Sequence, residues 1–240
     1  NLGTGSFGGT CEYLSAFNNN GFTLAAQNIG PHNCNGDGID FVSWSFKKQS
    51  KFFDIVTYSG DPNNNNLAVA HNLGSVPGAI FVKRTDTTAD WQVYHRSLGS
   101  GQRLRLNSSA TKQGSVAFPS APTSTHFTVG NTADNGANVN GGSFIAYLFA
   151  HEEAEFGPNA NQEIISCGSW AGNGSAGNKV TLPFEPGFIL WKCHVVGEHW
   201  RMIDSSRGVA TASTGTGGND FAQSPNNTSD DSNGNFIDFL

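Results

Sequence analysis

The chain has 240 residues, a formal net charge of -6, and only 13% charged side chains. This acidic balance, with Lys47-Lys48 and an arginine pair at 103 and 105 as the only basic clusters, argues against a nucleic-acid partner. No apolar run approaches the roughly 20 residues of a membrane-spanning helix, so membrane insertion is not expected. The 30 glycines and 11% aromatic residues favour many short strands joined by polar turns over long helices.

The N-terminal part of the chain predicts a strand at residues 40–46, which follows a Gly/Asn-rich stretch at 33–38 and, further upstream, a Gly-Phe-Thr-Leu segment at 21–24. In the predicted strand, Val42, Trp44 and Phe46 recur with the period of two that is typical of a β-strand. The segment at 21–24 recurs at 126–129, and the predicted strand recurs at 143–149 and again at 235–240. Residues 1–49 are therefore predicted to be the C-terminal half of a first β-repeat.

The middle of the chain also recurs, because residues 52–84 resemble residues 163–193. Tyr58 matches Trp170, a Pro-Gly pair at 77–78 matches one at 186–187, and Trp91 matches Trp200. Several matches in the same order indicate an internal duplication. We predict a complete β-sandwich repeat at 50–151 and a second, shortened repeat at 152–240 that lacks a counterpart of residues 103–118.

The predicted fold class is all-β, built from tandem β-sandwich repeats of a jelly-roll-like type. Turn signals recur at short intervals and no helical periodicity is found. The three related strands at 40–46, 143–149 and 235–240 carry apolar residues on both faces, which predicts central strands covered on both sides. The acidic segment at 151–157 is interpreted as a solvated linker between copies.

These patterns form one continuous signature over residues 44–58, 70–78, 90–96 and 143–151. The signature resembles a repeat of tail-fibre-like virion proteins from marine tailed phages, cyanophages among them. The His71-Asn72-Leu73-Gly74 element also resembles a turn of phage fibre proteins, although the second copy does not keep the histidine. The resemblance covers essentially the whole chain, including the order of its repeats.

The resemblance implies a structural protein of the phage particle, extracellular in its working state, with a spacer and host-adhesion role. Its expected partners are other virion proteins and a host cell-surface glycan, and a homotrimer is one expected assembly because fibres are often trimeric. The alternative from another class is a lectin-like carbohydrate-binding module of a secreted protein. A polysaccharide depolymerase is the third reading, and it would need two carboxylates facing each other across a groove.

No catalytic motif is found, so the chain is predicted not to be an enzyme and to need no cofactor. His71 precedes a tight turn, and its imidazole is expected to bind nearby backbone. An Asn/Asp/Gly loop at 230–235 lacks the glutamate that would complete a calcium loop, so no metal site is predicted. Free thiols are favoured for the four cysteines, but pairing of Cys11 with Cys34, or of Cys167 with Cys193, stays open.

The candidate ligand-binding residues surround the two matched tryptophans. An exposed indole can stack on the apolar face of a sugar while neighbouring polar groups bind its hydroxyls. The alternative is that each tryptophan is a duplicated core residue. The candidates are Asp90, Trp91, His95, Arg96, Trp200 and Arg201.

Overall fold

A computed structural model describes residues 14–25, 35, 37–38, 41, 43–63, 65–132, 134–175, 177–205, 220–227 and 232–234. Every regular element among these residues is a β-strand, and every strand pair is antiparallel. The predicted all-β class is therefore confirmed. Within the same residues, no helix has the length and hydropathy required to cross a membrane. The chain divides into two compact units, one of Gly5–Lys47 and one of Asn1–Thr4 with Lys48–Leu240.

The strands are short, as the turn-rich composition predicts. In chain order they are β1 (Leu14–Asn18), β2 (Gly21–Leu24), β3 (Phe53–Ser59), β4 (Leu67–Ala70), β5 (Ala79–Arg84), β6 (Gln92–His95), β7 (Gln102–Arg105), β8 (Gln113–Gly114), β9 (His126–Val129), β10 (Ser143–Phe149), β11 (Phe188–Trp191), β12 (Arg201–Asp204), β13 (Asp220–Ala222) and β14 (Ser232–Gly234).

The central segment, residues 50–151, holds a six-stranded sheet in the order β3-β10-β5-β6-β7-β8. Strand β10 lies inside this sheet, pairing with β3 along one edge and with β5 along the other. The prediction that residues 143–149 form a central strand is confirmed. The apolar residues on both faces of β10 explain its central position, because burying both faces removes the most apolar surface from water.

One face of this sheet carries the main core. Phe144, Ala146 and Leu148 of β10 are buried there together with residues of β5 and β6. The pair formed by β4 and β9 supplies the second layer, with Phe127 packing its ring edge-on against Tyr58 at 6.1 Å. The central segment therefore has two packed layers of β-structure.

The opposite face of the sheet carries aromatic rings that pack against one another. Phe149 lies 4.9 Å from Phe53 between ring centroids, and Tyr147 stacks on Trp91 at 6.0 Å. Phe81 meets Phe149 edge-on at 5.6 Å. Ile145, Tyr147 and Phe149 on this face of β10 are half-buried, so the predicted cover is complete on the core face and partial on this one.

The C-terminal segment, residues 152–240, contains the two hairpin-like pairs β11–β12 and β13–β14. The β11–β12 register places Phe188 opposite Asp204, and the β5–β6 register places Ala79 opposite His95. The alignment of Trp91 with Trp200 relates these two pairs to each other, so both hairpins have the same register. The backbone hydrogen bond next to each hairpin is also equivalent. Arg96 N–H donates to Gly78 O at 2.9 Å, and Ser205 N–H donates to Gly187 O at 3.0 Å.

The two segments differ from the sequence prediction in two places. Met202 forms a bridge with Gln223 at the end of β13, just as Val93 pairs with Leu104 of β7. The expected absence of any counterpart to residues 103–118 is therefore wrong for its first strand, which sequence comparison misses because the side chains differ. Residues 163–172, matched in sequence to β3, belong to no strand where the structure describes them, and residues 235–240 lie outside the described residues.

The N-terminal unit contains the hairpin β1–β2, which joins Leu14 to Leu24 and Asn18 to Gly21 in antiparallel register. Residues 21–24 and their sequence match at 126–129 are both strands. In the segment predicted as a strand at 40–46, the described residues 41 and 43–46 belong to no strand. A strand needs a neighbour to complete its backbone hydrogen bonds, and the sequence pattern does not reveal whether a neighbour is present.

Candidate functional site

Trp200, one of the candidate ligand-binding residues, lies in an apolar cluster between the central and C-terminal segments. Its side chain is 5% exposed and packs with Val93, Leu104 and Leu106 of the central sheet. Its indole Nε1–H donates to the backbone oxygen of Arg105 at 2.8 Å. A ring buried on this scale has no free face for a sugar, and it joins the two segments instead.

Trp91 borders the same cluster but is only half-buried. Its ring stacks on Tyr147, and the ammonium of Lys83 lies 6.0 Å from its centroid, a cation–π distance. Phe81 and its sequence counterpart Leu190 also pack in this cluster. The structure therefore brings both candidate tryptophans together, with equivalent faces of the two segments packed against each other.

An asparagine holds the start of the second hairpin strand in each segment. Asn107 accepts the Trp91 N–H at 3.0 Å and donates from Nδ2 to Asp90 at 2.7 Å. Asn226 accepts the Trp200 N–H at 3.0 Å, and its Nδ2 donates to His199 Nδ1 at 3.0 Å. Sequence reasoning missed both asparagines because they lie at different spacings, 16 and 26 residues after their tryptophans.

Asp90 belongs to a half-buried ionic network. Its carboxylate lies 3.1 Å from the Arg105 guanidinium, and Asp134 is 2.9 Å from both Arg103 and Arg105. The fully buried Gln92 accepts from Arg103 at 2.7 Å. Burial opposes ionisation of Asp134, but its hydrogen bonds and the two arginines outweigh that and hold its pKa below the usual range. Two arginines and two aspartates neutralise one another, so this network supports the loops at one end of the sheet.

The remaining candidates on the central segment, His95 and Arg96, lie at the other end of the hairpin. Arg96 Nη1 is 2.6 Å from His151 Nε2, and the Nδ1 of His151 accepts the Cys167 N–H at 3.1 Å. Burial and the neighbouring Arg96 lower the pKa of both His151 and His95. His151, the first residue of the linker, thus contacts both Arg96 of the central segment and Cys167 of the C-terminal segment.

The backbone is tightly packed where this linker passes the Pro-Gly turn. A Cβ on Gly78 would lie 2.7 Å from the Cβ of Cys167 and 2.8 Å from the Cβ of His151. Any larger residue would push the linker away, which explains why glycine follows the proline in the central segment. In the C-terminal segment the same turn is open, with the nearest atom to a Cβ on Gly187 at 3.8 Å.

The six candidates therefore lie in three places. Arg105 connects Asp90 with Trp200, and Trp91 joins Trp200 through the apolar cluster. His95 and Arg96 lie beside the linker. Arg201, the first residue of β12, donates to Ser224 Oγ at 2.9 Å, just beyond the end of β13. Arg103 and Arg105 are two residues apart on β7, with Leu104 between them. This spacing was the signal that could have placed both arginines on one face of the strand.

The structure also locates His71 and two of the four cysteines. The buried His71 donates from Nε2 to Thr123 O at 3.1 Å and accepts the Leu73 N–H, so its expected binding to nearby backbone is confirmed. Cys167 and Cys193 are free thiols, and Cys11 and Cys34 lie outside the described residues. No group of three His, Cys, Asp or Glu side chains in the described part of the chain could hold a metal ion.

The fold and site define an all-β protein in which two hairpins of the same register are joined through a buried aromatic cluster. Residues 5–240 match the family model described as the domain of unknown function DUF7483, and the chain belongs to that family. No curated protein and no solved structure matches the chain.

Proposed function

We propose that the chain is a structural module of a phage virion surface protein, such as a tail fibre or another appendage, with a spacer and host-adhesion role. Its tandem repeats would be β-sandwiches of a jelly-roll-like type. The observation that carries the proposal is the pair of hairpins with one register, one asparagine contact and one buried contact between them. This is the organisation of a chain that extends by adding equivalent units.

A spacer must transmit position along its length, and the junction supports that role. The apolar cluster around Trp200 joins the sheets, and the linker pairs with the C-terminal segment through Glu152 N–H to Ile165 O at 2.9 Å. Ser166 adds a bond to Glu152 Oε1 at 2.7 Å. Packing and hydrogen bonds at two separate points resist bending more strongly than a single flexible link.

Adhesion would be non-covalent and carried by loops on this rigid scaffold. The chain's acidic balance and its many Asn, Ser and Gly residues suit hydrogen bonding to hydroxyl-rich host surfaces. The ion pairs of the site neutralise the charges that lie at its centre. A neutral glycan is therefore the partner class we propose for the host side.

The test is to look for the chain in purified phage particles that encode it. Mass spectrometry of gradient-purified virions should find its peptides at a constant ratio to the major capsid protein. Labelling with an antibody against residues 50–151 should mark an appendage in electron micrographs. Particles that lack the chain altogether would rule out the proposal.

A second candidate, a lectin-like module, is favoured by one observation. Trp170 is 51% exposed, so unlike Trp200 it presents a ring face to solvent. Glycan-array binding that is lost in Trp170→Ala and kept in Val116→Ala, another exposed apolar truncation, would support this function. Equal binding by both variants would count against it.

A further inference from the structure

The β1–β2 hairpin carries all its large apolar side chains on one face. The register pairs Phe17 with Phe22 and Leu14 with Leu24, and Phe22 and Leu24 are two residues apart on one strand. All four side chains are exposed, and Phe17 reaches 86% exposure. The other face is small and polar, with Asn18 Nδ2 donating to Thr23 Oγ1 at 2.9 Å.

A hairpin of this kind is incomplete as a structure. Two isolated strands are marginally stable in water and gain stability when their apolar face packs against another layer. A contiguous exposed apolar face also marks an interaction surface. The question is what covers the face formed by Leu14, Phe17, Phe22 and Leu24, here called the hairpin face.

The central segment provides a template for the answer. Strand β9, which matches β2 in sequence, places Phe127 at the position of Phe22. Phe127 is 1% exposed and meets Tyr58 edge-on at 6.1 Å, whereas Phe22 is 41% exposed. The same strand sequence is therefore buried in one place and uncovered in the other.

The counterpart of Tyr58 is uncovered as well. Trp170 matches Tyr58 in sequence and is 51% exposed, with Ile164 and Val180 also exposed in the same segment. Tyr58 is held by the Ala137 backbone oxygen at 2.6 Å and by the layer containing Phe127. Among the described residues of the C-terminal segment, no strand covers Trp170 as β9 covers Tyr58.

We propose that the hairpin face of one molecule covers the Trp170 surface of a second copy of this chain, with Phe22 against Trp170 as Phe127 lies against Tyr58. Within the described residues, each chain has one such donor face and one such acceptor surface. Molecules joined in this way associate head to tail, which gives either a closed ring or a filament. The proposal does not depend on a virion origin and can fail or succeed independently of it.

A cross-linking experiment tests the contact directly. In the full chain with its four native cysteines replaced by alanine, Asn20→Cys and Ser169→Cys are made as separate proteins, so that Phe22 and Trp170 stay in place while an exposed neighbour of each carries the thiol. When the two are mixed, a short bismaleimide should give a cross-linked heterodimer, because the contact between Phe22 and Trp170 holds the two thiols close together. Asn20→Cys mixed with Val116→Cys, an exposed position of the central segment, is the matched control.

Two results would overturn the proposal. One is heterodimer formation no greater than in the Val116→Cys control. The other is a double variant, Asn20→Cys with Ser169→Cys, that cross-links only within single molecules at every concentration. That second result would place the contact within one chain.

Sedimentation of the unmodified chain gives an independent measure. Association should rise with concentration, and Phe22→Ala or Trp170→Ala should weaken it about tenfold or more, the effect of losing a central aromatic contact. Both side chains are exposed, so the circular dichroism spectra of the variants should be unchanged, and Val116→Ala should associate normally. A wild-type chain that stays monomeric at all concentrations would contradict the proposal.

Discussion

The central and C-terminal segments share a hairpin but differ in what surrounds it. In both, the first hairpin strand follows a Pro-Gly pair, and an asparagine accepts the N–H of the tryptophan that precedes the second. The central hairpin continues into a six-stranded sheet with β10 at its side, whereas β11 pairs only with β12 among the described residues. The hairpin is thus the unit that forms in either setting.

The difference shows which contacts turn a repeated sequence into a strand. Phe53–Ser59 is a strand because β10 pairs with it over its whole length, residue by residue. The matched residues 163–172 form no strand where the structure describes them. Local sequence similarity is therefore sufficient for the hairpin and insufficient for the strand that needs β10.

The largest expected effect comes from weakening β10. Phe144→Ala removes a fully buried ring that stacks on Tyr58 at 5.1 Å, and we expect the free energy of unfolding to fall by about 3–5 kcal/mol. Urea denaturation followed by circular dichroism measures it. Val116→Ala, an exposed truncation on the same segment, should change stability by no more than about 0.5 kcal/mol. A cost near that of the control would mean that β10 does not hold the central sheet together.

The next effect concerns the junction between the segments. Trp200→Ala should lower the free energy of unfolding by about 3 kcal/mol and separate the unfolding of the two segments into two transitions, because the ring is buried between them. Trp91→Ala should cost less, about 1–2 kcal/mol, because its ring is half-buried. Trp200→Phe keeps most of the packing and isolates the bond to Arg105 O, worth about 1 kcal/mol. If Trp91→Ala and Trp200→Ala lowered the free energy of unfolding equally, the buried Trp200 would contribute no more to the junction than the half-buried Trp91.

A smaller effect tests whether the two hairpins are equivalent. Asn107→Ala and Asn226→Ala should each cost about 1–2 kcal/mol, since each leaves a backbone N–H without its acceptor. Hydrogen exchange at the amides of Trp91 and Trp200 should quicken in the matching variant only. If one variant is silent while the other destabilises the chain, the two asparagines do not have the same role.

The sequence predicted one central strand and the equivalence of two hairpins. The alternation in residues 143–149 indicated a central strand, and the match of Trp91 to Trp200 aligned two hairpins that have one register. These features depend on period and on tight turns, which are local properties of the chain. The all-β class followed from the same signals.

The site could not be predicted to the same depth. Exposed and buried tryptophans have the same sequence signature, so the burial of Trp200 depends on long-range packing against Leu104 and Leu106. Asn107 and Asn226 act through loops of different length, and Asp134 reaches Arg103 from a loop 31 residues further along the chain. Contacts of this kind are set by tertiary structure, which leaves no periodic trace.

The smallest expected effect is a pH dependence of the junction. A neutral imidazole has one acceptor nitrogen, yet both nitrogens of His151 face donors, Arg96 on one side and the Cys167 N–H on the other. Protonation would therefore place an N–H opposite a donor at both ring nitrogens, which is unfavourable. Nearby Glu152, Glu153 and Glu163 favour the protonated ring but offset only part of this unfavourable free energy. Burial and Arg96 lower the pKa of His151 below the ordinary histidine value of 6.5, so the folded state binds this proton less tightly than the unfolded chain.

This difference in proton affinity sets the direction in which the free energy of unfolding changes with pH. Stability should be fully present above about pH 6.5 and should decrease as the pH falls toward the lower folded-state pKa. His71 and His95, whose pKa values burial also lowers, act in the same direction. Urea denaturation between about pH 7.5 and pH 5 measures the effect above the range in which carboxylates titrate. His151→Gln, which cannot be protonated, should flatten this dependence in part, and wild-type stability that rises on acidification over this range would contradict the role given to His151.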